Sequence, residues 1–155
     1  MKCLSKKEQL RNDSLRGHNK QTKERKEPRN SISLRGIVTM NASIKPDITL
    51  DLLDKVDIRV GMILSVEDID KSDKMVKLTV DFGSFKRVIL VGMKKERNNP
   101  QEIEGKQALF VVNLAPKKMF GTISEGMLYD IGYLDGLTPV LAQPEKPVPN
   151  GTRVG

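Results

Sequence analysis

Residues 56–66 read Val56-Asp57-Ile58-Arg59-Val60-Gly61-Met62-Ile63-Leu64-Ser65-Val66, with an apolar side chain at every even-numbered position. A period of two over eleven residues belongs to a β-strand, which sends successive side chains to opposite faces. The even-numbered set is therefore expected to form one buried face, with Gly61 letting the strand bend as a small barrel requires. Working outward, Val76, Leu78, Val80 and Phe82 repeat the alternation. Gly83-Ser84 turns the chain, and Phe85 to Val91 returns as the second strand of a hairpin. Residues 93–105 are polar and read as a loop with a helical turn near Pro100. Further strands are expected over 106–113, 126–131 and 139–142. Towards the N-terminus, Asp47 or Thr49 is placed to cap a short helix through about Asp54, with Ile48, Leu52 and Leu53 on one side. Five or six short strands, one small helix and no βαβ repeat point to an all-β fold. The expectation is a small barrel of the OB type with a short N-terminal helix and a C-terminal extension.

At 155 residues the chain holds one domain with a real core and little more. The net charge of +7 is unevenly placed. Residues 1–39 carry eleven Lys/Arg against four Asp/Glu, which leaves sixteen of each in residues 40–155. The sequence thus divides into a basic arm (1–39) and a neutral domain (40–155), so any RNA affinity of the domain must come from a local cluster. The arm has no aromatic residue and cannot offset its own ordering entropy. Three readings of it stand: a solvated arm attracted to RNA, a transit peptide, or a stretch preceding a true start at Met40. One cysteine (Cys3) suits a reducing cytosol, and His18 is the sole histidine, so neither a zinc site nor any other cofactor is expected. No apolar run approaches the ~18 residues of a membrane span, and a cytoplasmic protein is expected.

The segment Val111-Val112-Asn113-Leu114-Ala115-Pro116-Lys117-Lys118-Met119-Phe120-Gly121-Thr122-Ile123-Ser124-Glu125-Gly126-Met127-Leu128 carries the functional signal. Val111 and Val112 end a strand, and Asn113 and Pro116 stop its ladder. Lys117 and Lys118 then fall on an exposed connection, and a second strand starts near Met127. A basic loop followed by a hydroxyl offers charge for phosphates and a hydrogen bond from Ser124 to a phosphate or ribose oxygen. A solvated turn explains the two lysines equally well on composition alone.

This segment resembles the tRNA-binding domain shared by bacterial structure-specific tRNA-binding proteins, the C-terminal extension of methionyl-tRNA synthetases and the endothelial monocyte-activating polypeptides. There Asn-Leu-x-Pro-x-Lys, a following glycine and Ser-x-Gly-Met recur in this order. Val56-Asp57-Ile58-Arg59-Val60-Gly61 resembles the family's opening strand, and Ser72-Asp73-Lys74-Met75 its Ala-Asp-Lys-Leu turn. Val80-Asp81-Phe82-Gly83 with Arg87 matches the next hairpin. The ending from Gln143 to Gly155 is most similar to the free-standing CsaA-type branch. Val91-Gly92-Met93 stands where the family often has Ser-Gly-Ile, and Phe120 replaces a frequent basic residue.

The resemblance implies tRNA as partner and an RNA-binding set of Lys74, Arg87, Asn113, Lys117, Lys118, Ser124 and Met127. Each has a plainer alternative. Asn113 is suited to bonding its own loop backbone, Arg87 to pairing with Asp81 across strands, and Met127 to core packing. Phe82, Phe110 and Tyr129 are expected in the core, which leaves few rings for base stacking and favours a folded RNA over an extended strand. Lys94-Lys95 is an equally basic pair outside the signature. No enzymatic constellation is visible, so a binding protein is expected. The alternatives are a CsaA-like chaperone for unfolded export substrates and a factor that docks on a synthetase. A homodimer through Ile48–Leu53 and the Pro-rich stretch from Val140 to Val154 is also implied.

Overall fold

The computed structural model describes residues 42–155, together with the backbone of two three-residue strands that pair with each other, Asn30–Ile32 (β1) and Val38–Met40 (β2). Apart from those strands, the basic arm expected over residues 1–39 lies outside the described residues. The helix is the single turn Leu50–Leu53 (α1), with Thr49 at the capping position but no bond from its side chain. Leu50, Leu52 and Leu53 are all exposed.

Strands Ile58–Asp68 (β3), Val76–Asp81 (β4), Lys86–Val91 (β5), Gln107–Val111 (β6) and Met127–Leu128 (β9) form an antiparallel sheet in the order β5-β4-β3-β6-β9. Between them lie a hairpin of Lys117–Met119 (β7) and Thr122–Ser124 (β8) and, later, the pair Asp130–Ile131 (β10) and Val140–Leu141 (β11). Arg153–Val154 (β12) returns to pair with Ile58 and Arg59 on β3. The result is a nearly closed, OB-like barrel with very little helix.

The long strand departs from the expected single buried face. Gly61 faces the core, because a Cβ built there would lie 2.5 Å from Val80 Cγ1 and 2.7 Å from Phe82 Cε1. Ile63 also points inward. A bulge then lets the pairing slip between Ile63 and Ser65, so Leu64 turns out to solvent and Val66 re-enters the core. An extra residue on one strand changes which parity faces inward and sharpens the twist. Val60 is buried on the opposite side, beneath the chain end: its N–H donates to the Thr152 carbonyl at 2.9 Å, and its carbonyl accepts from Gly151 N–H at 2.7 Å. Two phases of the same alternation are thus used, one for the barrel interior and one for the C-terminal segment.

The interior is filled by Phe82, Phe110, Ile63, Leu78, Ile89 and the neighbouring aliphatics, with Phe110 set edge-on to Phe82 at 5.5 Å. The 3-10 turn Pro100–Ile103 buries Ile103, and its following Glu104 accepts the Val66 N–H at 2.7 Å. Tyr129, expected in the core, is 37% exposed because it sits in the gap between β9 and β10. The Pro-rich ending bonds to its own barrel. Gln107 donates to the Val148 carbonyl and the Asn150 side chain, and Asn150 donates to Asp81 at 2.9 Å.

Candidate nucleic-acid interface

The stretch read as a basic loop is a β-hairpin. Lys117 lies opposite Ser124, Lys118 opposite Ile123 and Met119 opposite Thr122. Its turn is Phe120-Gly121, both with positive φ (51° and 82°). A two-residue hairpin turn of this kind usually carries Asn or Asp before Gly, and a phenylalanine there hid the turn from sequence reasoning. Both lysines are exposed, held on a strand instead of a loose connection.

The hairpin is fixed to the barrel by the residues that follow it. Leu90 N–H on β5 donates to Ser124 Oγ at 3.1 Å, and Ser124 Oγ–H donates to the Gly126 carbonyl at 3.4 Å. Val88 N–H donates to Glu125 Oε2 at 3.1 Å, and Glu125 N–H to the Val88 carbonyl at 2.9 Å. Met127 and Leu128 then pair with Val111 and Phe110 on β6. The Ser124–Leu128 segment therefore closes the barrel between β5 and β6. Gly126 belongs there for space: a Cβ would meet the Val111 carbonyl oxygen at 2.7 Å. Ser124 is only 5% exposed, so its hydroxyl is engaged within the protein.

Arg87 does not pair with Asp81. Its guanidinium lies over the Phe85 ring at 5.3 Å and bridges to Glu125 at 3.2 Å, bracing the same closing segment. The cross-strand register explains this, since Asp81 faces Lys86 while Arg87 faces Val80. Asp81 instead accepts from Asn150 and from Gly83 N–H. Asn113 reaches across the fold and not to its own loop. It accepts from Asp57 N–H at 2.9 Å and donates to the Lys55 carbonyl at 2.6 Å, tying the start of the hairpin connection to the lead-in of β3. Next to it, Arg59 holds Asp57 through a double hydrogen bond, which keeps that carboxyl below the usual carboxylate range.

Lys74 and Met127 come together in a groove of about 630 Å³. It is lined by two stretches of chain, Lys74 and Met75 with residues 90–92 and 95–96 on the one hand, and Met127, Leu128, Asp130 and Tyr133 on the other. Met127 is 45% exposed, which sets aside core packing as its role. Lys95, read from sequence as lying outside the signature, lines this groove, whereas Lys94 pairs with Asp68 at 3.3 Å. Burial and the neighbouring Asp130 push the Glu96 carboxyl above its ordinary range. Lys95 and Glu96 lie in a turn, Asp130 on the two-residue strand β10 and Tyr133 in a short 3-10 turn, pieces too short to carry a local pattern in the sequence. Leu90 joins the two halves: it lines the groove, and its N–H is the one bound by Ser124.

Among the described residues, no group of three or more His, Cys, Asp or Glu is arranged to hold a metal, and no helix is long and apolar enough to cross a membrane.

Residues 58–153 match the family model described as "Putative tRNA binding domain". The chain belongs to the tRNA-binding domain family. Among relatives of this domain, the methionine–tRNA ligase of Parabacteroides distasonis is 40% identical over 111 residues, covering 72% of this chain. This chain spans only 16% of that ligase's length. Among solved structures, a MetRS-related protein from Pyrococcus horikoshii is 38% identical with a TM-score of 0.66, covering 72% of this chain and 100% of that one. The chaperone CsaA from Bacillus anthracis str. Ames is 26% identical with a TM-score of 0.59, covering 71% of this chain and 100% of its own. The matched region is thus a small part of that synthetase and the full length of these two solved chains.

Proposed function

We propose that this chain is a non-catalytic, cytosolic protein that binds folded tRNA by shape and backbone contacts. One observation carries the reading: a hairpin bonded to the barrel presents Lys117 and Lys118 together on a domain whose overall charge is balanced. Two exposed lysines on a pinned strand offer phosphate contacts at fixed spacing, and phosphate contacts position an RNA without reading its sequence. Lys74 and Lys95, which line the groove, offer two further cations for phosphates. Asn113, Ser124 and Arg87 act by holding the hairpin and the closing segment in place. A second reading has specific support as well. Phe120 and Ile123 on the hairpin are exposed, and the CsaA neighbour is a chaperone, so an unfolded polypeptide is the rival ligand.

Exposed Leu50, Leu52 and Leu53 on α1 favour a homodimer that covers them. A dimeric mass by light scattering supports this, and a monomeric mass at micromolar concentration rejects it. Gel shifts with total tRNA, duplex DNA and an unfolded peptide at two salt concentrations test the main reading. Preferential retention of tRNA supports it; peptide binding without tRNA binding replaces it with the chaperone.

A further inference from the structure

The groove beside the hairpin has more chemistry than phosphate binding uses. Met127 and Leu128 give it an apolar lining, and Tyr133, a residue 61% exposed, lines it too. Lys74, Lys95, Glu96 and Asp130 line it as well, and the Asp130 charge acts on Glu96. None of these four charged groups belongs to an ion pair among the described residues. The volume of about 630 Å³ falls within the range of small-ligand sites. Burial first, and repulsion from the Asp130 charge second, hold the Glu96 carboxyl above its ordinary range, so its ionised form is disfavoured in the groove. A ligand that donates hydrogen bonds to both carboxylates relieves that repulsion.

Resting on the tRNA-binding reading above, we infer that this groove takes one unstacked nucleobase and selects guanine. An ionised carboxylate only accepts hydrogen bonds. Guanine alone among the common bases presents two adjacent donors, N1–H and N2–H, on its Watson–Crick edge. Adenine and cytosine place a ring acceptor beside their single amine, and uracil flanks its one N–H with two carbonyls, so each meets the carboxylate pair with a repulsive contact. Tyr133 and Met127 cover the faces of the base, in the way unpaired RNA bases are held on aromatic side chains. Lys74 and Lys95 meet the phosphates on either side. A loop or end of a folded RNA supplies such a base, whereas a closed duplex does not.

The test uses the full chain and 5′-labelled RNA pentamers UUGUU, UUAUU, UUCUU and UUUUU, read by fluorescence anisotropy. One good bidentate base contact corresponds to roughly five- to hundredfold discrimination, so UUGUU should bind about tenfold or more tighter than the other three. Glu96→Gln and Asp130→Asn should each bring UUGUU down to the level of UUUUU without weakening UUUUU, in protein whose melting temperature is not lowered. Affinities equal within about twofold across the four pentamers, or a guanine preference that survives both substitutions, overturn the inference. If tRNA still binds in that case, the underlying reading stands without the base pocket. If neither tRNA nor any pentamer binds, both fall, and an unfolded peptide that binds wild type but not Glu96→Gln assigns the groove to polypeptide.

Discussion

Replacing Ser124 by alanine separates a residue that touches RNA from one that builds the surface touching it. In the folded chain the Ser124 hydroxyl is 5% exposed and accepts the Leu90 N–H at 3.1 Å. Leu90 is itself buried, so Ser124→Ala leaves a backbone donor of β5 without a partner in a dry place. An orphaned buried donor costs about 1–3 kcal/mol. For a domain of this size each kcal/mol lowers the melting temperature by about 4 °C, which predicts a fall of about 4–12 °C. Ile123→Ala, one residue away but exposed, should stay within about 0.5 kcal/mol of wild type. Thermal unfolding by circular dichroism supplies the first readout, and tRNA binding across a salt series supplies the second. Because no charge is removed, the salt slope of Ser124→Ala should equal that of wild type even if affinity drops with the displaced hairpin. A variant that melts within a degree of wild type yet loses tRNA binding would refute the reasoning, since the hydroxyl would then be contacting the RNA itself.

Gly61→Ala should destabilise the barrel by about 1–3 kcal/mol, because the added methyl meets the fully buried Val80 and Phe82; the urea midpoint should fall with the slope unchanged. A midpoint equal to wild type would show that the strand can shift at no cost. Glu96→Gln should raise the melting temperature at pH 7. Burial and Asp130 hold the folded carboxyl above its unfolded pKa, so its ionisation lowers stability. Wild-type stability therefore declines as pH rises from about 4 through the folded pKa and stays reduced above it. The gap between variant and wild type should close below about pH 4, and a gap that persists in acid would assign the gain to another cause.

The all-β class, the hairpin around Gly83-Ser84 and the helical turn at Pro100 were legible because each rests on a local signal: alternation, turn chemistry, or proline at a helix start. The inward parity of β3 was not, because a bulge depends on the partner strand, and Leu64 looks like any other apolar residue in the run. The Lys117–Ser124 hairpin was hidden for a different reason, since Phe120 occupies a left-handed turn position that sequence preference assigns to Asn or Asp. In the candidate site, Lys74, Lys117, Lys118 and Met127 follow from the family pattern and are exposed. Ser124, Arg87 and Asn113 match the same pattern but are bonded within the protein, which only their hydrogen-bond and ion-pair partners reveal. Lys95, Glu96, Asp130 and Tyr133 gather in the groove from two short segments separated by more than thirty residues in the chain, which no local periodicity records.

The most direct measurement is the salt dependence of tRNA affinity for Lys117→Ala/Lys118→Ala beside Lys106→Ala/Lys146→Ala. The second pair is a better control than Lys94 and Lys95: Lys106 and Lys146 share a hollow near the start of β6, whereas the hairpin follows that strand's other end. Both doubles remove the same charge. Removing one lysine–phosphate interaction reduces the slope of log affinity against log salt by about 0.7–0.9. The hairpin double should therefore bind tRNA more weakly, with a slope flatter by roughly one to two, while the Lys106/Lys146 double stays close to wild type. Equal weakening by the two doubles would mean diffuse attraction and contradict a binding site built on the hairpin.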